Sequence, residues 1–339
     1  MSKVFQNAFL GSLVADALSM PVHWYYDTTA LDRDYGAITG YQAPRNPHPD
    51  SILWRSSYQP INDRGEILHD QARFWGQKGV HYHQFLEAGE NTLNYQLGIE
   101  LYRWIIMRGG YSEKEWLDHY IEVMQTPGWH KDTYVEEVHR NFFTHYARGK
   151  KPMDCSVKDL HIGALSQVPA LIAGLDALGD PAPEELTEVI KSHVRLTHNH
   201  PESIEAATLL VRLLCDLNEG KPLRESIASR AVKWTGATTL KDWEKRSDRE
   251  VVGSKVSTAC YLPEAMTASL HFVWKYEQDF ATGIQANAQV GGDNCHRAAI
   301  VGGLLGGELG VPEDWLFGLK AMEALRCDQG LKPIKDPDF

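Results

Sequence analysis

The sequence predicts an all-α protein: one domain spanning residues 1–339, built from roughly a dozen helices. Three observations support this fold class. Apolar residues recur at three- and four-residue spacings, Gly, Pro or Asn punctuate the resulting segments, and alternating β-branched runs are scarce. No internal repeat is present. The length is ample for a large core, and single domains of about 300 residues occur.

The first 66 residues divide into a predicted helix and a segment without a regular apolar period. Residues 4–18 carry a helical apolar stripe, and Pro21 ends this predicted helix. Residues 27–66 contain four prolines and show no sustained period, which predicts an irregular insertion. Its aromatic residues favour a lid, a pocket wall or a subunit contact over a free linker. The alternative is a surface excursion that packs its own aromatic side chains.

Most of the remaining chain is predicted to be helical. Thr92 is a candidate N-cap, and Ser112 with Glu115 forms a capping box. Residues 148–159 form a charged loop, the one segment that could mark a domain boundary. The predicted helices cover residues 91–107, 112–124, 133–147, 162–178, 183–197, 201–218, 222–234 and 263–276.

Residues 291–310, GGDNCHRAAIVGGLLGGELG, are the best candidate for a functional site. Asp293 or Asn294 can N-cap a helix whose interior begins at Arg297. Each glycine inside a helix costs about 1 kcal/mol relative to alanine. The repeated glycines after Arg297 therefore imply that a neighbouring backbone or a ligand approaches this helix closely.

Charge, cysteine content and missing motifs exclude several classes of function. A net charge of −11 argues against a nucleic-acid-binding surface and does not favour an anionic membrane as partner. The five cysteines include no CxxC pair, which is typical of reduced cytosolic thiols, and neither a signal peptide nor a membrane span is expected. Nucleotide-binding and serine-hydrolase motifs are absent. We expect a cytoplasmic protein that acts on small-molecule or protein-linked groups, and self-association stays open.

Three segments, in order, resemble the ADP-ribosylglycohydrolase superfamily of the dinitrogenase-reductase-activating glycohydrolase type. Residues 11–24, GSLVADALSMPVHW, resemble its opening helix, and residues 195–207, RLTHNHPESIEAA, resemble its Thr-His-x-x-Pro helix start. Residues 287–316 resemble its signature loop, thin helix and Pro-x-x-Trp. The resemblance implies a compact all-α fold with a central cleft, in which typical members use two magnesium ions to remove ADP-ribose from protein side chains.

This chain departs from the family pattern at the metal ligands. The family loop reads Asp-x-Asp-Thr or Asp-x-Asp-Ser, whereas here Asp293 is kept and Cys295 and His296 replace the other two ligands. His23 stands where the family has a glutamate. The closest match to the family's Thr-Asp-Asp-Thr run is Gly89-Glu90-Asn91-Thr92, at residues 89–92. Magnesium requires oxygen ligands, so a magnesium pair is not expected.

Two chemistries remain open. In the favoured one no cofactor is needed: His23 acts as the acid, and Asp293 or Glu90 is the carboxylate for cleavage of a ribosyl bond. In the other, His23, Cys295 and His296, with Asp293 or Glu90, bind a single transition metal. The predicted substrate-binding residues are Asn91, His198, Gly291, Gly292, Asn294, Cys295 and His296.

Each candidate also has a structural interpretation. Asp293 could only cap its helix, His23 could be a satisfied interior histidine, and Cys295 could be an inert buried thiol. His198 and His200 are expected to brace the entry to the helix at Pro201 and to line the cleft. The pair His81 and His83 is a weaker metal candidate, and a buried Asp16 must find a polar partner.

The predicted function is hydrolysis of an N- or O-ribosyl bond of the ADP-ribose type in a central cleft. Two alternatives stay open. One is a catalytically inactive protein that binds ADP-ribose or a nucleotide, or is structural like the crystallin relatives of the family. The other is an enzyme of a different reaction class on the same fold.

Overall fold

The computed structural model describes residues 2–179, 181–236 and 239–328, and within them the all-α fold class is confirmed. These residues form no β-sheet; their only strand-like pairings are isolated bridges. No helix in this part of the chain is long and apolar enough to cross a membrane. The helices of the first half are α1 (Lys3–Ser19), α2 (Thr28–Tyr35), α3 (Leu93–Arg108), α4 (Glu113–Gln125), α5 (Glu137–Ala147) and α6 (Val168–Leu178).

The second half adds eleven helices, several of them a single turn. They are α7 (Pro183–Arg195), α8 (Pro201–Asn218), α9 (Leu223–Arg230), α10 (Val232–Thr235), α11 (Thr239–Trp243), α12 (Asp248–Glu250), α13 (Glu264–Lys275), α14 (Phe280–Gln289), α15 (Asn294–Leu309), α16 (Glu313–Phe317) and α17 (Ala321–Asp328).

The centre of the fold is the pair α1 and α15. From Asn294 to Gly307 every residue of α15 is buried, and so is nearly all of α1 from Ala8 onward. A helix that is apolar on all sides belongs in a core rather than at a surface. Helices α6, α8, α13 and α14 pack around this pair.

Glycines let the two central helices approach backbone to backbone. A Cβ on Gly302 would lie 2.2 Å from the carbonyl oxygen of Gly11 and 2.6 Å from the Cβ of Ala15. A Cβ on Gly306 would lie 2.6 Å from the carbonyl oxygen of Asn7. The close approach predicted from the glycine pattern is therefore a helix-helix contact in this stretch.

We expect Gly302→Ala to lower the free energy of unfolding by about 3 kcal/mol, because the added methyl group overpacks a backbone contact. Gly303→Ala is the matched control: its Cβ would meet nothing closer than 3.7 Å, so the change should be neutral or should stabilise by up to about 1 kcal/mol through helix propensity. Chemical denaturation of both variants measures the difference. Equal effects of the two substitutions would contradict this packing.

The insertion at residues 27–66 is less irregular than predicted. It begins with helix α2, whose N-cap Asp27 accepts hydrogen bonds from the amides of Thr29 and Ala30. The helix covers only two turns, and it is followed by the proline-rich stretch that led to the prediction. Beyond α2 the insertion contains only short 3-10 turns, and part of it forms one wall of the cavity described below.

Other predicted helices differ in their bounds. Residues 133–136 precede α5 instead of starting it, residues 162–178 divide into a 3-10 turn and α6, and residues 222–234 divide into α9 and α10. Helix α8 has the bounds that were predicted. Its N-cap His200 accepts a hydrogen bond from the amide of Glu202, so a histidine does open this helix.

Asp16 has the polar partners that its burial requires. Its carboxylate accepts hydrogen bonds from the side chain of Asn91 at 2.9 Å and from the amide and hydroxyl of Thr92 at 2.9 and 2.8 Å. Burial, only partly offset by these bonds, raises the pKa of Asp16 to about 6. Asp16 thereby fixes the start of α3 against α1.

Candidate functional site

The loop before α15 is tied by paired backbone hydrogen bonds to the segment that follows α1. The Trp24 amide donates to the Gly292 carbonyl, and the Gly292 amide donates to the Tyr25 carbonyl, both at 2.7 Å. Gly292 has a φ of +63°, and a Cβ there would lie 2.3 Å from the carbonyl oxygen of Thr258. Gly291 is as restricted, because its Cβ would lie 2.2 Å from the Tyr25 carbonyl oxygen. Both glycines serve this close approach, and neither lines the cavity described below.

Asp293 is fully buried at the N-cap position of α15, yet its side chain makes no capping bond. Its Oδ1 lies 2.9 Å from Nε2 of His23 and 2.7 Å from Nδ1 of His296. Its Oδ2 has no hydrogen-bond partner in the described chain, and Nε2 of His161 lies 4.0 Å away. Burial alone would raise the pKa of Asp293, but His296 and the other imidazoles outweigh it and hold the pKa well below its usual range.

His296 lies between two carboxylates. Its Nδ1 faces Asp293, and its Nε2 lies 2.8 Å from Oε1 of Glu136, the residue before α5. Burial would lower the pKa of His296, but the two carboxylates raise it well above its usual value. This shift favours an imidazolium, which would donate from Nδ1 to Asp293 and from Nε2 to Glu136; the side-chain nitrogen of Asn94 also lies 2.9 Å from Nε2. The charge of His296 likewise holds the pKa of Glu136 below the usual range, against the effect of burial.

A chain of buried groups supports Asp293 from the other side. His23 Nδ1 lies 2.9 Å from His83 Nε2, and His83 Nδ1 is hydrogen-bonded to the carboxylate of Asp132. Burial lowers the pKa of His23 to about 3, so its ring is neutral. It donates from Nε2 to Asp293 and accepts at Nδ1 from His83. Both nitrogens are thus engaged, and His23 orients Asp293.

A cavity of about 230 Å³ opens beside Glu136. Three of its lining residues are carboxylic acids, and no Lys or Arg is among the described residues that form its wall. Oε2 of Glu136, which is buried, has no hydrogen-bond partner in the described chain. The lining residues are Trp24, Tyr26, Ile52, Leu53, Ser56, Tyr82, Tyr134, Glu136, Glu137, Val138, Asp159, His161, Cys260 and Tyr261.

His161 links this cavity to Asp293. Its Nδ1 accepts a hydrogen bond from the amide of Gly163 at 2.9 Å, so the ring hydrogen is on Nε2. That Nε2 is the atom 4.0 Å from the unpartnered Oδ2 of Asp293. His161 therefore offers a hydrogen-bond donor between the cavity and the buried carboxylate.

Trp24 has an unusual backbone conformation at this site. Its φ is +60°, a left-handed value that bulky residues rarely adopt. Its ring stacks on His23 at a centroid distance of 3.6 Å and forms edge-to-face contacts of 4.9 Å with both Tyr82 and Tyr134. Strained residues of this kind cluster at functional sites. The three rings make one aromatic wall of the cavity.

Potential metal ligands lie close together here. Three triads have ligand atoms within 4.8 Å of one another: His23 with Asp293 and His296; Glu136 with His161 and His296; and His161 with Cys260 and Asp293. A metal-bound histidine needs one free lone pair and usually donates from its other nitrogen. Binding of a metal ion here would displace the proton that His296 shares with the two carboxylates, and binding through Nε2 of His161 would cost the hydrogen bond that its Nδ1 accepts from the Gly163 amide.

Of the three predicted catalytic residues, the structure brings two together and places the third elsewhere. Asp293 and His23 are hydrogen-bonded to each other, as described. Glu90 is not part of this cluster, because its oxygens accept from Lys131 Nζ and from the amide of Glu87, each at 2.7 Å. Asn91 lies against α1, where it also donates to the carbonyl of Leu13 at 2.8 Å.

Cys295 does not face the cavity. Its thiol packs with Met20 and Leu86, and burial raises its pKa well above the usual value. This placement agrees with the interpretation of an inert buried thiol. The metal alternative that used Cys295 loses its sulfur ligand, because the cysteine at the cavity wall is Cys260.

Asn294 is held by hydrogen bonds within the protein, whereas the buried Nε2 of His198 has no hydrogen-bond partner among the described residues. Asn294 donates from Nδ2 to the carbonyls of Val22 and Ala288 at 3.3 and 3.1 Å. His198 is buried, and its Nδ1 lies 2.9 Å from the hydroxyl of Thr197. Neither residue lines the cavity.

Sequence reasoning missed four groups of this site: Asp132, Glu136, Asp159 and His161. Asp132 and Glu136 lie at the predicted start of a helix, where acidic residues are common for purely structural reasons. Asp159 ends the charged loop that suggested a domain boundary, and His161 follows that loop by two residues. Among the supporting residues, only His83 was noted in the sequence, as half of a weak candidate metal pair. In the structure its Nε2 lies 2.9 Å from Nδ1 of His23 and orients that ring.

Comparison with known proteins gives three findings. The family model described as ADP-ribosylglycohydrolase matches residues 3–332. Crystallin J1A of Tripedalia cystophora is 23% identical over 325 residues, which cover 91% of this chain and 89% of that protein. A solved structure titled "ADP-ribosylglycohydrolase-related protein complex" has a TM-score of 0.59 at 19% identity, and the alignment covers 96% of this chain and 95% of that one.

Proposed function

Because the chain belongs to the ADP-ribosylglycohydrolase family, we propose that it is a glycohydrolase-like enzyme that cleaves an N- or O-ribosyl bond in the cavity beside Glu136. One observation carries the proposal. The cavity wall holds a buried, ionised carboxylate oxygen, Oε2 of Glu136, that has no hydrogen-bond partner among the described residues; Nδ1 of His161 lies 3.6 Å from it. Leaving such a group unpaired is costly unless a ligand or water uses it.

Glu136 is the carboxylate that acts on the substrate in this proposal. Glycosidic cleavage needs a carboxylate that activates water or stabilises an oxocarbenium-like centre. The proposal differs from the sequence prediction, because Asp293 is enclosed and acts through His296 and His161. Asp293 and His23 are therefore positioning residues, which keep His296 charged and Glu136 ionised.

Asp159 is the proton donor that the cavity offers. Burial raises the pKa of its carboxyl, whereas the pKa of Glu136 is lowered, and such opposite shifts separate an acid from a base. Water adds to C1′ of the ribose and gives its proton to Glu136. The bond from C1′ to the leaving atom breaks with its electron pair, and the leaving atom takes the proton of Asp159.

The reaction is proposed to need no metal. The hydrogen bonds of the donor set support this proposal, because a metal ion would have to displace the proton that His296 shares with two carboxylates and the hydrogen bond that His161 accepts. Magnesium is a still poorer fit, because the family's second loop aspartate is the core residue Cys295 here. The chain's own carboxylates and histidines therefore supply the chemistry.

The test is hydrolysis of a panel of N- and O-ribosyl compounds by the purified protein, with released ribose quantified by NMR. We expect at least one compound to be cleaved, and we expect Glu136→Gln to remove that activity. If no compound of the panel were cleaved, the proposed hydrolase function would be contradicted.

A second candidate function is a non-catalytic one. It is favoured by a specific finding, the similarity over most of the chain to a protein named as a crystallin. In that case ribosyl compounds would bind without turnover or would not bind. Calorimetry on the same panel separates the two candidates.

A further inference from the structure

The charge of the cavity restricts its ligands beyond the proposed function. Its wall carries Glu136, Glu137 and Asp159, while its described lining residues include no Lys or Arg. His296, which contacts this wall through Glu136, is already shared between Glu136 and Asp293. The guanidinium of Arg140 lies over the rings of Trp75 and Tyr134, and that of the buried Arg297 donates to the carbonyls of Thr258 and Gly291; neither arginine is a lining residue.

A phosphate group has no suitable partner in this cavity. Phosphate carries about −1.5 to −2 charges at neutral pH and is bound by Arg, Lys or a helix N-terminus. The N-terminus of α5 does open here, but its N-cap is Glu136 and its first residue is Glu137. These two carboxylates already occupy the positive end of the helix dipole. An entering phosphate would meet them as like charges.

The aromatic wall and the carboxylates together suit a positive charge. Trp24, Tyr82 and Tyr134 expose ring surface to the cavity, and aromatic faces attract ammonium, guanidinium or pyridinium groups. The buried, unpartnered Oε2 of Glu136 adds an ionised acceptor. With a volume of about 230 Å³, the cavity is at the small end of ligand pockets, which makes it a poor enclosure for a dinucleotide-sized group.

We infer that the cavity selects a small, phosphate-free riboside whose aglycone carries a positive charge, such as an N-ribosylpyridinium or N-ribosylguanidinium. The inference rests on the proposed function for the site and specifies its substrate class. When such an aglycone leaves, it takes the electron pair of the C1′–N bond and becomes neutral, so for this substrate class Asp159 keeps its proton and only Glu136 accepts one, from water.

The test uses C-ribosides, which cannot be cleaved, so that binding is measured whether or not the protein is an enzyme. Calorimetry compares a C-ribosyl-N-methylpyridinium cation, the neutral C-ribosylbenzene of similar shape, and the 5′-phosphate of the cation. We expect the cation to bind at least about tenfold tighter than the neutral ligand. Its 5′-phosphate should bind at least about tenfold more weakly than the cation itself. Each factor corresponds to one interaction of about 1.4 kcal/mol.

Glu137→Gln tests the charge at the cavity wall. It should weaken binding of the cation by about three- to tenfold and leave the neutral ligand unchanged. Glu185→Gln is the matched control: it is also an exposed glutamate in the first turn of a helix, but it lies in α7 and outside the cavity, so it should change neither affinity.

The outcomes separate the two proposals. Preferred binding of the cation supports the inference even if no riboside is hydrolysed. Equal or tighter binding of the neutral ligand, or tighter binding of the 5′-phosphate, overturns the inference even if ribosyl hydrolysis is found. Cleavage of ribosides only when they carry phosphate would overturn it as well and leave the hydrolase proposal standing.

Discussion

Glu136→Gln should reduce turnover of a cleaved riboside by at least about 1,000-fold, because it removes the ionised carboxylate that faces the cavity. Glutamine keeps the size of the side chain and can still accept from Asn94, which donates to Oε1 of Glu136 at 2.6 Å. The loss should therefore appear in kcat of a folded protein. Steady-state kinetics, with circular dichroism to confirm the fold, measure it.

Asp293→Asn distinguishes the structural account from the sequence prediction, which made Asp293 or Glu90 the acting carboxylate. Asparagine can still accept from His23 and His296, so we expect a loss of only about 10- to 100-fold, typical of a group that orients another. Glu185→Gln should keep full turnover. If Asp293→Asn were the more damaging substitution, Asp293 would replace Glu136 as the reacting carboxylate.

His296→Gln should lower the free energy of unfolding by about 3–5 kcal/mol near neutral pH, because it leaves two buried carboxylates without their shared cation. The control is His119→Gln, which breaks a partly exposed pair with Glu100 at 2.7 Å. A pair of that kind contributes about 1 kcal/mol or less. Urea denaturation of both variants and the wild type gives the comparison.

The loss of unfolding free energy in His296→Gln should depend on pH, and the direction follows from the pKa shift of His296. The folded pKa of His296 is raised above its unfolded value of 6.5, so its contribution to stability is complete below about pH 6.5 and is lost as the pH rises through the folded pKa. The difference between wild type and His296→Gln should thus be larger at pH 6 than at pH 10. A deficit that grows with pH would contradict an imidazolium at this position.

The fold could be predicted from the sequence because its signals are local. The apolar stripe of residues 4–18 and the glycines of α15 each depend on neighbours three or four residues away, and the close helix contact follows from them. Helix α2 was missed because it is two turns long and precedes a proline-rich stretch. Helix breaks inside residues 162–178 and 222–234 depend on tertiary packing, which overrides local propensity.

The site could be predicted only in part, because it is assembled from distant segments. The link between His23 and Asp293 was suggested by the positions of both residues in family-like motifs, and the two are 2.9 Å apart. Glu136 comes from a third segment, and nothing in its local sequence distinguishes it from Glu90. Whether a carboxylate meets a cavity depends on packing across more than 100 residues, which spacing along the chain does not encode.

The central claim, hydrolysis by the chain's own carboxylates without a metal, is tested most directly by the turnover of protein dialysed against a chelator. Elemental analysis of the same sample verifies that metals have been removed. The account predicts an unchanged rate of ribose release and no stimulation by added magnesium or zinc. Loss of turnover on chelation, with recovery when either ion is returned, would contradict it.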